Sequence, residues 1–130
     1  PDHDLIAAVE RLPWRRAIFT NGCRHHAGRI LEKIGATHLF EDIWDIRTLD
    51  FVPKPDPAAY GRLVAAAGLA PHRTAMFDDI AQNLVAAGEL GMTTVWLNTG
   101  LDFSSGAPQA IEVPHHQTRD LSQFLHAIRI

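Results

Sequence analysis

The sequence predicts an α/β domain built on a parallel sheet. Helix-period and strand-like apolar segments alternate along the chain, the order expected of strand–helix–strand units. The strand-like runs are short and apolar, and several end in polar or acidic residues just where a helix begins. At 130 residues the chain reads as a single domain, 1–130, long enough to bury a core.

The elements follow in order. Residues 4–12 read as a helix, with Leu5, Val9 and Leu12 on one face and Pro13 as its stop. Residues 17–21 (Ala-Ile-Phe-Thr-Asn) form a short apolar run with a polar end, hence a buried strand. Ala27, Ile30, Leu31 and Ile34 recur at helical spacing, and Gly35 closes that helix. Residues 43–46 are a second strand. A loop from Phe51 to Pro57 holds Pro53 and Pro55, and Asp56 caps a helix whose first residue is Pro57. The buried stripe of this helix is Tyr60, Leu63, Val64 and Ala67, and Gly68 ends it. Residues 74–77 form a third strand running into Asp78-Asp79. Ile80, Leu84 and Ala87 mark a helix that ends near Gly91. Residues 93–97 are a fourth strand, 101–112 a Gly-, Ser- and Pro-containing loop, and Leu121, Phe124, Leu125 and Ile128 the face of a last helix.

Composition narrows the partners. The net charge of −3, from 12 basic and 15 acidic residues, gives no electrostatic reason to expect a nucleic acid polymer or an anionic membrane. The small basic cluster Trp14-Arg15-Arg16 reads as a solvated element end. Cys23 is the only cysteine, so no intrachain disulfide can form and a reducing compartment is expected. No apolar run approaches the roughly 20 residues needed to span a bilayer, and the first residues lack signal-peptide character. A cytoplasmic protein is the expectation. The adjacent pairs His25-His26 and His115-His116 point their rings apart on a helix or strand, which makes them poor zinc chelators.

Ligands of parallel α/β sheets bind at the carboxyl ends of strands, and three such ends carry chemistry. Thr20-Asn21-Gly22 offers a hydroxyl and backbone N–H groups before a helix, a phosphate cradle or simply a helix cap. Lys54 lies between two prolines that restrict its backbone, so its ammonium is either held for an anionic site or a surface lysine in a turn. Asp78 and Asp79 are adjacent carboxylates at a strand mouth. They suit Mg²⁺, which takes one or two carboxylates and keeps its other positions for water and phosphate, or they cap the next helix. Asn83, one helical turn beyond Asp79, can hydrogen-bond back and orient a ligand.

The order Thr20, Lys54, Asp78-Asp79, each after its own strand, resembles the second, third and fourth motifs of the haloacid dehalogenase-like (HAD) superfamily. Thr20-Asn21, Arg24, His26-Ala27, Arg29, Leu31, Gly35, residues 51–55, Tyr60, residues 77–80 and Asn83-Leu84 look like its pyrimidine 5′-nucleotidase-like branch. The resemblance covers roughly residues 1–98. It implies a three-layer, Rossmann-like parallel sheet, incomplete because the first strand is absent. That strand would end in Asp-x-Asp, the nucleophile and the general acid/base, and a helical cap would follow it. Asp2-His3-Asp4 imitates this motif, but a helix begins there at once, so it reads as the connection from cap to core. In the family's order the missing strand lies between those ending at Thr20 and at Asp78, so a strand-completing segment or a homodimer is expected to fill the gap.

The resemblance implies a Mg²⁺-dependent phosphate monoester hydrolase, working through an aspartyl-phosphate whose nucleophile lies outside these residues. Thr20 and Lys54 would be its catalytic groups here. Thr20 with the N–H groups of Asn21 and Gly22 would hold phosphoryl oxygens. Lys54 would offset their charge, and Asp78 and Asp79 would bind the metal, with a small phosphorylated compound as substrate. The chain alone is expected to be inactive. A haloacid dehalogenase shares the fold but has no use for Asp78-Asp79. A receiver domain has its acidic residues, Thr and Lys in a different order. A non-catalytic phosphate- or metal-binding module is the alternative from another class.

Overall fold

A computed structural model describes residues 2–100 and 114–130. The α/β order holds: α1 (His3–Glu10), β1 (Ala17–Phe19), α2 (Arg24–Ile34), β2 (Asp42–Trp44), α3 (Pro57–Ala67), β3 (Ala75–Asp78), α4 (Val85–Glu89), β4 (Thr93–Leu97), β5 (His116–Thr118) and α5 (Leu121–Ala127). Every pairing among these strands is parallel. The loop expected at 101–112 lies outside the described residues. Among those described, no helix is long and apolar enough to cross a membrane. The chain divides into two compact units, Pro1–Phe51 with Asp120–Ile130, and Val52–Arg119.

In the first unit, β1 and β2 form a two-stranded sheet with Ile18 opposite Ile43 and Phe19 opposite Trp44. Asp2 caps α1 by accepting the Leu5 N–H at 3.0 Å, so the Asp-x-Asp at residues 2–4 starts a helix and does not end a strand. Arg11 donates to the carbonyls of Leu125 at 2.7 Å and Ile128 at 2.9 Å, tying α1 to the end of α5. Two expectations change here. Arg16 is no solvated end: its guanidinium fork binds the carbonyls of Leu39 at 2.7 Å, Val9 at 3.0 Å and Leu12 at 2.7 Å. It thereby takes up acceptors that the end of α1 leaves over. The expected stripe of α2 is also only partly covered. Leu31 is buried, but Ile30 is 48% and Ile34 39% exposed, because spacing fixes which side chains share a face and not what covers it. For the same reason β1, read as buried, is only partly so.

The second unit carries a three-stranded sheet in the order β3-β4-β5. Its core is Tyr60 and Leu63 from α3, with Leu84, Ala87, Met92 and Val95. Asp56 caps α3 through the Ala58 N–H at 2.9 Å, with Pro57 in the first turn and left-handed Gly68 (φ 65°) at its end, as the sequence predicts. The helix expected from Ile80 onward begins later. Ile80 is extended and 42% exposed, a 3-10 turn spans Ala81–Leu84, and only then does α4 start. The cause is local: Asp78 Oδ1 accepts the Ile80 N–H at 2.9 Å, an Asx turn that competes with helical geometry. Strand β5 was missed because His116-Gln117-Thr118 has no apolar period. It is held by pairing with β4, and by His115, whose Nδ1 accepts the Thr94 N–H at 2.9 Å while the His115 N–H donates to Thr94 Oγ1 at 3.0 Å.

Among the described residues the strands form these two sheets, β1-β2 in the first unit and β3-β4-β5 in the second.

Candidate active site

The loop after β1 is held by a turn of its own side chain. Thr20 Oγ1 accepts the Gly22 N–H at 3.0 Å, and the Thr20 N–H extends the ladder to Trp44 O at 3.0 Å. The Gly22 N–H, which the sequence offers to a phosphoryl oxygen, is thus directed at Thr20. The hydroxyl keeps its own proton to donate. A Cβ on Gly22 would meet Thr20 Oγ1 at 3.4 Å, an ordinary van der Waals contact. Asn21 is exposed. Cys23 caps α2, its Sγ 3.4 Å from the His26 N–H.

The sequence reading missed what fixes this loop, which is Asp45. Its carboxylate is buried and takes the Arg24 N–H at 2.6 Å on Oδ2 and the Thr48 N–H at 2.9 Å on Oδ1. The Asp45 N–H in turn donates to Thr48 Oγ1 at 2.8 Å. The backbone N–H of Thr48, then that of Arg24, holds the Asp45 carboxyl below the ordinary carboxylate range. The first helical N–H of α2 is therefore bonded to the turn after β2, and the Thr20 loop hangs between these two fixed points. The available signal was the local pattern Asp45-x-x-Thr48, in which both side chains close a turn on each other's backbone.

In the second unit three of the predicted residues meet at one carboxylate. Lys54 Nζ donates to Asp78 Oδ2 at 2.8 Å, with 11% and 4% of the two side chains exposed. Asn83 Nδ2 lies 3.3 Å from Oδ2 and 3.4 Å from Oδ1 of the same group. Lys54 is brought in from the proline loop, where the Lys54-Pro55 peptide bond is cis. Asn83 is fixed in turn by Tyr60, whose fully buried hydroxyl donates to the Asn83 carbonyl. Burial, then the charge of Asp78, raises the Tyr60 pKa well above that of free tyrosine, so it stays a donor.

Asp79 is different. It is exposed, and its carboxyl is raised above the ordinary range by partial burial, then by the negative charge of Asp78 and a carboxyl hydrogen bond to it. Lys54 offsets this only in part. Two neighbouring carboxylates, one already neutralised and one still facing repulsion, fit a hard divalent cation that takes few protein ligands. Among the described residues no third His, Cys, Asp or Glu joins them.

Comparison with known proteins gives the family. The family profile described as haloacid dehalogenase-like hydrolase matches residues 2–91. The chain belongs to that family. Among HAD relatives, the phosphoglycolate phosphatase of Mannheimia succiniciproducens is 30% identical over 88 residues, which cover 68% of this chain and 39% of that protein. A dehalogenase structure superposes with a TM-score of 0.78 at 22% identity, covering 93% of this chain and 53% of the other. YfnB of Bacillus subtilis, a HAD-hydrolase structure bound to magnesium, does so with a TM-score of 0.77 at 22% identity, covering 98% and 54%. These structural likenesses establish the HAD fold. The chain spans 39% and 47% of the length of two curated relatives, both phosphoglycolate phosphatases.

Proposed function

We propose that this chain is the part of a Mg²⁺-dependent phosphate monoester hydrolase that binds the phosphoryl group and the metal, with an aspartyl-phosphate intermediate formed on a residue outside these 130. The observation that carries this reading is the buried Lys54–Asp78 pair at 2.8 Å beside the exposed Asp79. The ammonium neutralises Asp78 and leaves Asp79 as the carboxylate turned to solvent. A dehalogenase would have no use for that second carboxylate. The phosphatase relatives and the nucleotidase-like residues around Thr20, Lys54 and Asp78 favour the same substrate class, a small phosphorylated compound.

In this reading the Thr20 hydroxyl donates to a phosphoryl oxygen, helped by the N–H of Asn21. Lys54 offsets charge that builds on the transferring group, and Asn83 keeps the Asp78 carboxylate in place. Asp79, with Asp78 directly or through water, would hold Mg²⁺, which supplies charge stabilisation for phosphoryl transfer. The strand that completes the sheet would come from a further segment or from a second copy of the chain, and a cytoplasmic location fits the single cysteine.

Calorimetric titration of the chain with Mg²⁺ tests the metal assignment. Weak binding is expected, abolished in Asp79→Ala; equal binding by the variant removes the assignment. A sample of verified mass should show no Mg²⁺-dependent turnover of p-nitrophenyl phosphate, phosphoglycolate or a pyrimidine nucleotide. Clear turnover would place the nucleophile inside residues 1–130, against this proposal.

A further inference from the structure

Asp79 lies one residue beyond β3, where the β3–β4 ladder has ended, yet its backbone is tethered. Trp96 on β4 is the register partner of Asp78, and its indole Nε1–H reaches past Asp78 to donate to the Asp79 carbonyl at 3.0 Å. An indole N–H is a donor only, on a rigid ring set by two torsions, so it fixes a carbonyl with little loss of side-chain freedom. On the other side of the same short segment, the Ile80 N–H is held by Asp78 Oδ1 at 2.9 Å. The peptide unit joining Asp79 to Ile80 is therefore gripped at both polar atoms, its oxygen by Trp96 and its nitrogen by Asp78. The orientation of that peptide sets the direction in which the Asp79 side chain leaves the chain. The indole does not touch the Asp79 carboxyl, which hydrogen-bonds that of Asp78 while the residue stays exposed.

We propose that Trp96 is the positioning residue for the Asp79 carboxylate as a cation ligand. This rests on the reading of Asp79 as a metal-binding group and adds the residue that aims it. The indole does not contact the cation; it acts through the Asp79 carbonyl. Because its N–H is bonded to the backbone of the ligating residue, the ring also senses the field of a divalent ion held there.

The test uses the full chain and Mg²⁺ alone. Trp96→Phe keeps an aromatic ring in place and removes the donor. The expected result is a Mg²⁺ Kd raised about three- to tenfold, the loss due to one neutral hydrogen bond, measured by calorimetry well below the melting temperature. A merely structural tryptophan would lower Tm and leave that Kd unchanged. If the phenylalanine variant does not fold, a benzothienyl-alanine at position 96, isosteric with tryptophan but lacking the N–H, gives the same reading. In Trp14→Phe/Trp44→Phe, where Trp96 alone emits, Mg²⁺ should change the fluorescence with the calorimetric midpoint, and Asp79→Ala should abolish the change. Wild-type binding with an unaltered Kd in the position-96 variants would overturn the positioning role while leaving Asp79 as a ligand. No Mg²⁺ binding by the wild type would overturn both.

Discussion

Asp45 and Asp78 are both buried, at 3% and 6% exposure, and both stand where a strand gives way to a loop. They are satisfied in opposite ways. Asp45 takes its hydrogen bonds from neutral donors, the N–H groups of Arg24 and Thr48 and the Thr48 hydroxyl. Asp78 takes one N–H, from Ile80, one side-chain amide, from Asn83, and a lysine ammonium. A carboxylate held by dipoles is complete in itself and serves as scaffolding. One held by a lysine, with a second carboxylate beside it, forms a charge cluster that a ligand can still alter. Two buried acids thus differ in whether neutral dipoles or a counter-charge hold them.

If that contrast is right, the largest effect follows from removing the cation. Lys54→Met leaves the Asp78 carboxylate buried without its counter-charge, and loss of about 3–5 kcal/mol is expected in urea denaturation. Adding Asp78→Asn should return a good part of it, since the uncompensated charge is then gone. A Lys54→Met protein as stable as the wild type would mean that Asp78 is satisfied by dipoles too, and the distinction would collapse.

A smaller effect, with a pH signature, belongs to Asp45. Its folded-state pKa lies below the ordinary 3.8, so the stability it contributes is complete above that value and is lost as pH falls through the lower, folded one. Asp45→Asn should lower Tm at neutral pH, and the difference from wild type should shrink as both are taken into acid below pH 3.8. An unchanged difference across that range would assign the loss to packing, with no part for the charge. The smallest effect is expected for Tyr60→Phe, which removes the donor to the Asn83 carbonyl within the core. About 1 kcal/mol should be lost. A shifted Mg²⁺ affinity at the same time would show that Asn83 transmits its position to the acidic pair.

How much of this was legible beforehand differs by residue. Lys54 was named from its proline-bounded loop after a strand, Asp78 from its strand end and Asn83 from its spacing beyond Asp79, and the structure brings them to one carboxylate. Asp45 was not singled out, because a lone Asp within a strand-like run carries no mark of its partners, and Arg24 is 21 positions away. Trp96 read as one more apolar strand residue, since nothing in local sequence tells where an indole N–H will point. Ile30 and Ile34 were assigned to a buried face correctly drawn but incompletely covered.

The sequence by itself determined the alternation of helices and strands, the caps at Asp56 and Gly68, and which side chains stand at strand ends. These depend on short-range rules: the helical and strand periods, the missing proline N–H, and the left-handed freedom of glycine. Tertiary structure alone decided that Asp78 would be neutralised and Asp79 left exposed, that Asp45 would reach the start of α2, and that a polar triplet at 116–118 would become a strand. Each of these turns on which donor reaches which acceptor across many residues. Burial and hydrogen-bond satisfaction are properties of the packed chain, and no local pattern encodes them.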